Sequence, residues 1–268
     1  MLRRALIIPA AGVLAAGTVL ATAIAIPASA QTAARYVALG DSYSSGLGAG
    51  SYDPGSGSCD RSANAYPRLW ANSHSPASFA FVACSGATTS SVISGQLSAL
   101  NSGTTLVSIT VGGNDVGFSS VMETCVIFST SDCVSAIDSA ESQMASALPA
   151  ALDRVLGDIA SDAPNAHVVV LGYPELYDLA KSSTCIGLST TDRTDLNQAA
   201  DELDGQVQAA AQRHGDTYAD VRGAFSGHEI CDSGSWLHSV DWLNLGDSYH
   251  PTASGQAGAY YPVLASRT

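Results

Sequence analysis

Lysine is almost absent from this chain of 268 residues, in which Lys181 is the single example. Lysine and arginine together number 11 against 24 acidic residues, and the formal net charge is −13 at pH 7. Such a chain would be repelled by nucleic acid and by anionic membrane surfaces. A polybasic membrane anchor is excluded because Lys181 is the only lysine. The acidic net charge also leads us to expect no nucleic-acid partner.

A long charge-free apolar run occurs only near the amino terminus, over residues 5–26. It follows the basic sequence MLRR and precedes PASAQTAA, so residues 1–30 resemble a signal peptide cleaved near Ala30, or as late as Ala34. An uncleaved signal anchor is the alternative, because the run exceeds the ~7–15 apolar residues of typical signal peptides. We expect secretion to the extracellular medium and no stable membrane anchor after cleavage. Loss of Arg3 and Arg4 would move the formal charge from −13 to −15.

Cysteine is scarce, with six residues and no C-x-x-C pair. The absence of such pairs disfavours a zinc site, and we expect neither a metal nor a cofactor. In an exported chain, six cysteines indicate three disulfides, for which the sequence alone leaves 15 connectivities. Only Cys125 and Cys133 are close enough in sequence to suggest one short closed loop.

No repeats or charge blocks divide residues 31–268, which are long enough for one catalytic domain with a single core. Short apolar runs predict strands at 36–39, 79–82, 106–111, 168–171 and 218–221. Apolar spacing predicts one helix over 138–159 and another, within 188–215, that ends at Gly215. This alternation predicts an α/β fold in which a central parallel sheet of about five strands binds ligands beyond the carboxyl ends of its strands.

The G-x-S-x-G sequence of α/β-hydrolases is missing, yet a serine follows the first predicted strand almost directly. In VALGDSYSSG, Ser42 occupies a position suited to a nucleophile, with a plain strand-ending turn as the alternative interpretation. Gly86 follows the second predicted strand and can present a free backbone N–H to an oxyanion, or form an ordinary strand-to-helix turn. Both residues are therefore candidates for one site at the same edge of the sheet.

Two further candidates come from the third strand end and from the carboxyl-terminal part of the chain. Asn114, in GGND, supplies an amide donor, and Asn114-Asp115 can also cap a helix beginning at Val116. The two interpretations are compatible if Asp115 is the cap and Asn114 faces the cleft. Asp247 and His250 are separated by two residues, so a carboxylate can reach the imidazole. We predict that His250 is the base for Ser42 and that Asp247 orients its ring. Pro251 then begins a helix that runs towards Leu264.

The blocks Gly40-Asp41-Ser42, Gly86, Gly113-Asn114-Asp115 and Asp247-x-x-His250 resemble the SGNH, or GDSL-type, hydrolase superfamily, in that family's order. The resemblance covers nearly all of residues 35–265 and is strongest to secreted actinobacterial lipases and phospholipases. It implies a three-layer, flavodoxin-like α/β/α domain with Ser42 as nucleophile and His250 as base. It also implies an oxyanion hole made by the N–H groups of Ser42 and Gly86 and the Asn114 side chain.

The same resemblance implies the disulfides Cys59–Cys84, Cys125–Cys133 and Cys185–Cys231. Some relatives orient the histidine with a backbone carbonyl, so the carbonyl of Asp247 or Ser248 is the alternative to the Asp247 side chain. The resemblance also brings the loop 226–240 towards the cleft, where Trp236 and Leu237 would line an acyl pocket.

These residues predict a metal-independent serine esterase or lipase, active on acylglycerols, phospholipid acyl chains or simple aryl and alkyl esters. Aromatic residues make up only 7% of the chain and form no sugar-stacking run, which favours lipids over carbohydrate acetyl esters. A secreted, non-catalytic binding module and an acyltransferase are the alternatives. Because no long amphipathic lid is evident, we expect an open cleft, and we expect a monomer.

Overall fold

Five parallel strands form one sheet in the order β2-β1-β3-β4-β5. They are β1 (Arg35–Ala38), β2 (Ser78–Phe81), β3 (Leu106–Ile109), β4 (His167–Leu171) and β5 (Thr217–Ala219). The structure is a computed structural model that describes residues 33–185 and 187–268, so the predicted signal peptide lies outside the described residues. The strand order is that of flavodoxin-like folds, and the predicted parallel five-stranded sheet is confirmed.

Helices flank this sheet, and residues Ala33–Thr268 form one compact unit. All four residues of β3 are buried, as are the last four of β4, because both faces of the central strands are covered. The helices are α1 (Ser42–Ser45), α2 (Tyr66–His74), α3 (Thr89–Gly95), α4 (Phe118–Ile127), α5 (Thr130–Ser146), α6 (Leu148–Asp162), α7 (Thr190–His214), α8 (Arg222–Phe225), α9 (Ala253–Gly255) and α10 (Tyr261–Ala265). A π-helical turn over Gln256–Tyr260 joins the last two.

The helix predicted over 138–159 is two helices, α5 and α6, separated at Ala147. Pro149 lies in the first turn of α6, where it has no N–H to continue the hydrogen bonding of α5. The apolar stripe was correctly predicted, since Met144 at the end of α5 and Leu148 at the start of α6 are both buried. The prediction of one continuous helix was wrong.

Helix α7 begins and ends as its capping residues predict. The Ser189 side chain accepts from the Asp192 N–H and the Asp192 carboxylate accepts from the Ser189 N–H, which is a capping box. Gly215 ends the helix in the left-handed conformation at φ 74°. The helix predicted from Pro251 begins instead at Ala253, after Thr252 has capped it.

Three disulfides connect the loops and helices around the sheet. They join Cys59 to Cys84, Cys125 to Cys133 and Cys185 to Cys231, the pairings that the family resemblance implies. Cys84 lies two residues before Gly86, so the first disulfide restrains that loop. Within residues 33–185 and 187–268, no helix is both long enough and apolar enough to cross a membrane.

Candidate active site

The sharp turn between β1 and α1 presents Ser42 as the first residue of its helix. Gly40 makes this turn at φ 123°, where an added Cβ would lie 2.5 Å from the carbonyl oxygen of Thr110. The Gln96 amide fixes the turn by bonding the N–H and the carbonyl of Gly40, each at 2.8 Å. Asp41 then caps the helix, its carboxylate accepting from the Tyr43 N–H at 3.0 Å.

His250 meets Ser42 although the two residues are 208 positions apart. The Oγ of Ser42 lies 2.8 Å from Nε2 of His250, and Nδ1 of His250 lies 3.0 Å from the carbonyl oxygen of Ser248. Burial lowers the pKa of His250 to about 4, against smaller opposing effects of the Ser248 carbonyl and the Asp247 charge. The imidazole is therefore neutral at pH 7, with Nδ1–H donating to Ser248 and Nε2 free to take a proton from Ser42.

The Asp247 side chain does not hydrogen-bond to His250, so the prediction that this carboxylate orients the ring is wrong. It accepts instead from the Tyr52 hydroxyl at 3.1 Å and from the Asn244 amide at 2.6 Å. The cause is the local turn: Leu245–Asp247 form a short 3₁₀ helix, and Tyr249 follows at φ 65°. This backbone path leaves the Ser248 carbonyl facing the ring. A backbone carbonyl of Asp247 or Ser248 was the stated alternative to the Asp247 side chain.

We expect Asp247→Asn to lower kcat/KM for a soluble ester by about tenfold or less. If this carboxylate were the third member of a catalytic triad, its loss would lower the rate by a factor on the order of 10⁴. Because the negative charge of Asp247 raises the pKa of His250, its removal should lower that pKa and move the acid limb of the pH–rate profile to lower pH. Steady-state rates from pH 3 to 8 would measure both effects. The control is Asp241→Asn in the same loop, and a loss near 10⁴ would restore the carboxylate as the orienting group.

Three unused hydrogen-bond donors lie beside Ser42. The N–H groups of Ser42 and Gly86 have no acceptor among the described residues. The Asn114 amide donates one N–H to the Ala87 carbonyl at 3.1 Å, and its second N–H has no partner among the described residues. Because all three residues line one groove with His250, they can converge on a single oxygen atom.

Asp115 does not cap a helix beginning at Val116. Helix α4 begins two residues later, at Phe118, after Gly117 at φ 75°. The Asp115 carboxylate instead accepts from the N–H of Thr89 at 2.9 Å and from its hydroxyl at 2.6 Å. It therefore ties the loop that carries Asn114 to the start of α3, close to Gly86.

Tyr173 is a buried residue of the site that sequence reasoning missed. Its hydroxyl donates to the Asp41 carboxylate at 2.5 Å and accepts from the Gly113 N–H at 3.1 Å. Burial raises the pKa of Asp41 to about 7, with the bonds from Tyr173 and Tyr43 acting against this rise. Tyr173 thus links the loop that carries Ser42 to the loop that carries Asn114. It lies two residues after the end of β4, so the strand-end rule that identified the other loops also applies to it.

Apolar side chains wall a groove of about 420 Å³ above Ser42. One wall comes from α4 and the other from the loop before His250; the apolar residues that line it are Leu47, Phe118, Met122, Val126, Ile127, Val240, Trp242, Leu245 and Tyr249. A narrower cavity of about 50 Å³ continues from Ser42 and Phe118 to α5 and α7. No group of three His, Cys, Asp or Glu side chains within the described ranges could hold a metal ion.

Trp236 and Leu237, which were predicted to line an acyl pocket, line neither of these two cavities. The Trp236 ring stacks on His228 with centroids 3.7 Å apart and packs edge-on against Phe225. Leu237 is buried and pairs through its backbone with Pro251. The loop meets the segment beside His250 through its backbone, because the Trp236 carbonyl accepts from the Thr252 N–H at 2.8 Å and the His250 carbonyl accepts from the His238 N–H at 3.0 Å.

A serine and a neutral histidine at the carboxyl edge of a parallel sheet define the arrangement of a serine hydrolase. The model of the GDSL-like Lipase/Acylhydrolase family matches residues 38–257, and the chain belongs to that family. It is 58% identical to Lipase 1 of Streptomyces coelicolor over 254 residues, which cover 94% of each chain.

Two solved structures extend this similarity. Phospholipase A1 from Streptomyces albidoflavus NA297 is 55% identical with a TM-score of 0.86, and the extracellular lipase from Streptomyces rimosus is 52% identical with a TM-score of 0.85. Each alignment covers 88% of this chain and 100% of the other. The predicted family and three-layer fold are confirmed, and the protein is a carboxylic ester hydrolase.

Proposed function

We propose that the protein is a secreted lipase that hydrolyses lipid esters through an acyl-enzyme on Ser42. The observation that carries this proposal is the 2.8 Å contact between Ser42 and the neutral His250, at the floor of an apolar groove. The groove can accept an acyl chain because its two walls are largely aliphatic and aromatic. The ester carbonyl would then lie beside Ser42 and the three free donors.

In the first half of the reaction, the Ser42 oxygen attacks the ester carbonyl carbon while His250 Nε2 takes its proton. The negative oxygen that forms is held by the N–H groups of Ser42 and Gly86 and by the Asn114 amide. The imidazolium is stabilised by its hydrogen bond to the Ser248 carbonyl. It then gives its proton to the departing alcohol oxygen as the carbon–oxygen bond breaks, which leaves the acyl chain on Ser42.

Water completes the reaction in the second half. His250 takes a proton from the water as its oxygen attacks the acyl-enzyme carbonyl, and returns that proton to Ser42 as the fatty acid leaves. Another alcohol in place of water would give acyl transfer with the same residues. The products of hydrolysis are one alcohol and one carboxylic acid, and no cofactor enters this scheme.

Secretion and the choice of lipid esters are supported by separate observations. The charge-free apolar run at residues 5–26 suits an export signal, and three disulfides suit an oxidising compartment. A phospholipase A1 and an extracellular lipase are both more than half identical to this chain. These similarities favour acyl chains of lipids over the acetyl groups of carbohydrates.

Initial rates on 4-nitrophenyl esters from acetate to palmitate test the proposed function. We expect rates that peak at medium or long chains, vanish in Ser42→Ala and stay unchanged with a chelator, because the groove holds an acyl chain and the scheme uses no metal. Activity confined to acetate would favour a carbohydrate esterase instead. Absence of Ser42-dependent hydrolysis at every chain length would contradict the proposal.

A further inference from the structure

Five large hydrophobic side chains form an exposed cluster, here called the apolar rim. They are Ile127 (56% exposed), Phe128 (63%), Trp242 (68%), Leu243 (99%) and Leu245 (61%). Among the described residues, the one other exposed large hydrophobic side chain is Leu179, which is less exposed than any of these five, at 40%. Single exposed apolar residues are ordinary, but their concentration in one place marks an interaction surface.

The apolar rim is continuous with the groove above Ser42. Ile127 lines one wall at the end of α4, while Trp242 and Leu245 line the opposite wall. Phe128 and Leu243 are the next residues along the chain on each side. A protein partner or a second copy seated here would cover the groove and close it to substrate. A lipid aggregate would instead bring acyl chains to its entrance.

The negative charge of the protein indicates which kind of lipid surface it can approach. Glu123 lines the groove together with the apolar residues, and no lysine or arginine does so among the described residues. Asp241 precedes Trp242 directly, and Asp247 lies two residues after Leu245. With a net charge of −13 for the whole chain, the protein would be repelled by an anionic surface. A surface of zwitterionic or uncharged lipid would not repel the protein, so it is the lipid surface to which we expect binding.

From these observations we infer that the apolar rim docks the protein on the surface of zwitterionic or uncharged lipid aggregates. The inference rests on the proposed function and specifies where the substrate enters. Trp242, with an apolar ring and one N–H donor, suits the boundary between headgroups and acyl chains. Docking by this rim would place the groove entrance against the lipid and let an acyl chain enter without crossing water.

Vesicle co-sedimentation of the Ser42→Ala protein tests this docking without hydrolysis of the lipid. We expect binding to phosphatidylcholine vesicles, and weaker binding when phosphatidylglycerol replaces part of the phosphatidylcholine. Salt at about 0.5 M should reduce that difference, because it screens the repulsion. Adding Leu243→Ser or Phe128→Ser should weaken binding to phosphatidylcholine about tenfold, the loss expected for one buried apolar side chain.

Leu179→Ser in the same Ser42→Ala background is the matched control. Leu179 is 40% exposed and lines neither cavity, so its replacement should leave vesicle binding unchanged. Tryptophan fluorescence gives a second readout, since vesicle binding should shift the emission of Trp242 to the blue and Trp242→Phe should remove that shift. Unchanged melting temperatures would show that the variants are folded.

Three results would overturn the inference. They are failure of Ser42→Ala to bind phosphatidylcholine, equal losses in Leu179→Ser and Leu243→Ser, and a lipid-free dimer that rim substitutions dissociate. Because binding is measured in an inactive protein, these results are independent of the ester assay. If docking is lost while Ser42-dependent hydrolysis of soluble esters is intact, only the proposed docking by the apolar rim is refuted. If that hydrolysis is absent, the proposed function is refuted.

Discussion

Ser42→Ala is expected to reduce kcat for a soluble ester by about 10⁴- to 10⁶-fold, as removal of a catalytic serine does in other hydrolases. The substitution removes the one oxygen that His250 can deprotonate, and it removes no other side-chain hydrogen bond of Ser42. The melting temperature should therefore change little. Steady-state rates and the intact mass after treatment with a fluorophosphonate ester would measure the loss, since the probe should add once to the unmodified protein and not to the variant.

Ser45→Ala serves as the control for this prediction. Ser45 is also buried and lies in the same short helix, but its hydroxyl bonds the Ser42 carbonyl and not His250. We expect it to retain activity within about tenfold. In the proposed mechanism Ser42 and His250 act as one unit, so Ser42→Ala combined with His250→Ala should be no less active than Ser42→Ala alone. Probe labelling of the Ser42→Ala protein, or additive losses in the double variant, would contradict the assigned roles.

Asn114→Ala carries the second largest expected effect, a reduction of kcat by about 10²- to 10³-fold. The Asn114 amide keeps one N–H bonded to Ala87, so the second N–H is held in place towards the groove before the substrate arrives. Its contribution grows as negative charge develops on the carbonyl oxygen, which is why kcat should fall more than KM rises. Single-turnover rates of acylation would measure this loss directly.

Asn165→Ala is the matched control, because it removes the same amide at the opposite end of the sheet. Asn165 lies just before β4, where its amide donates to the Ser102 carbonyl at 2.9 Å. We expect its kcat to equal that of the unmodified protein. A variant of Asn114 in which only KM changes would show that this side chain binds substrate without stabilising the transition state.

The strands and the loops that follow them could be predicted because their signals are local. An apolar run followed by Gly40-Asp41-Ser42 predicts a turn after the first strand within a few residues, and the structure makes that turn with Gly40 at φ 123°. Helix α7 could also be predicted from the sequence, because Ser189 and Gly215 cap it through contacts within one or two turns. The order of the four blocks along the chain was enough to suggest the family.

The orientation of His250 depended on tertiary structure. Asp247 and the Ser248 carbonyl are both within reach along the chain, and the choice between them is made by Tyr249 at φ 65°. The Tyr43 hydroxyl fixes that turn by donating to the Tyr249 carbonyl at 2.7 Å, across 206 residues of sequence. No local pattern encodes such a contact.

The sequence by itself therefore predicted the parallel sheet, because its strands follow from short-range periodicity. It also identified Ser42 and His250 as the candidate nucleophile and base, through the order of four short blocks that resemble one family. Only the tertiary structure decided what surrounds them. Helix α4 and the loop before His250 form the groove and the apolar rim although more than a hundred residues separate them. Their side chains look like ordinary surface or core residues until the fold brings them together, since a groove is a property of two distant segments.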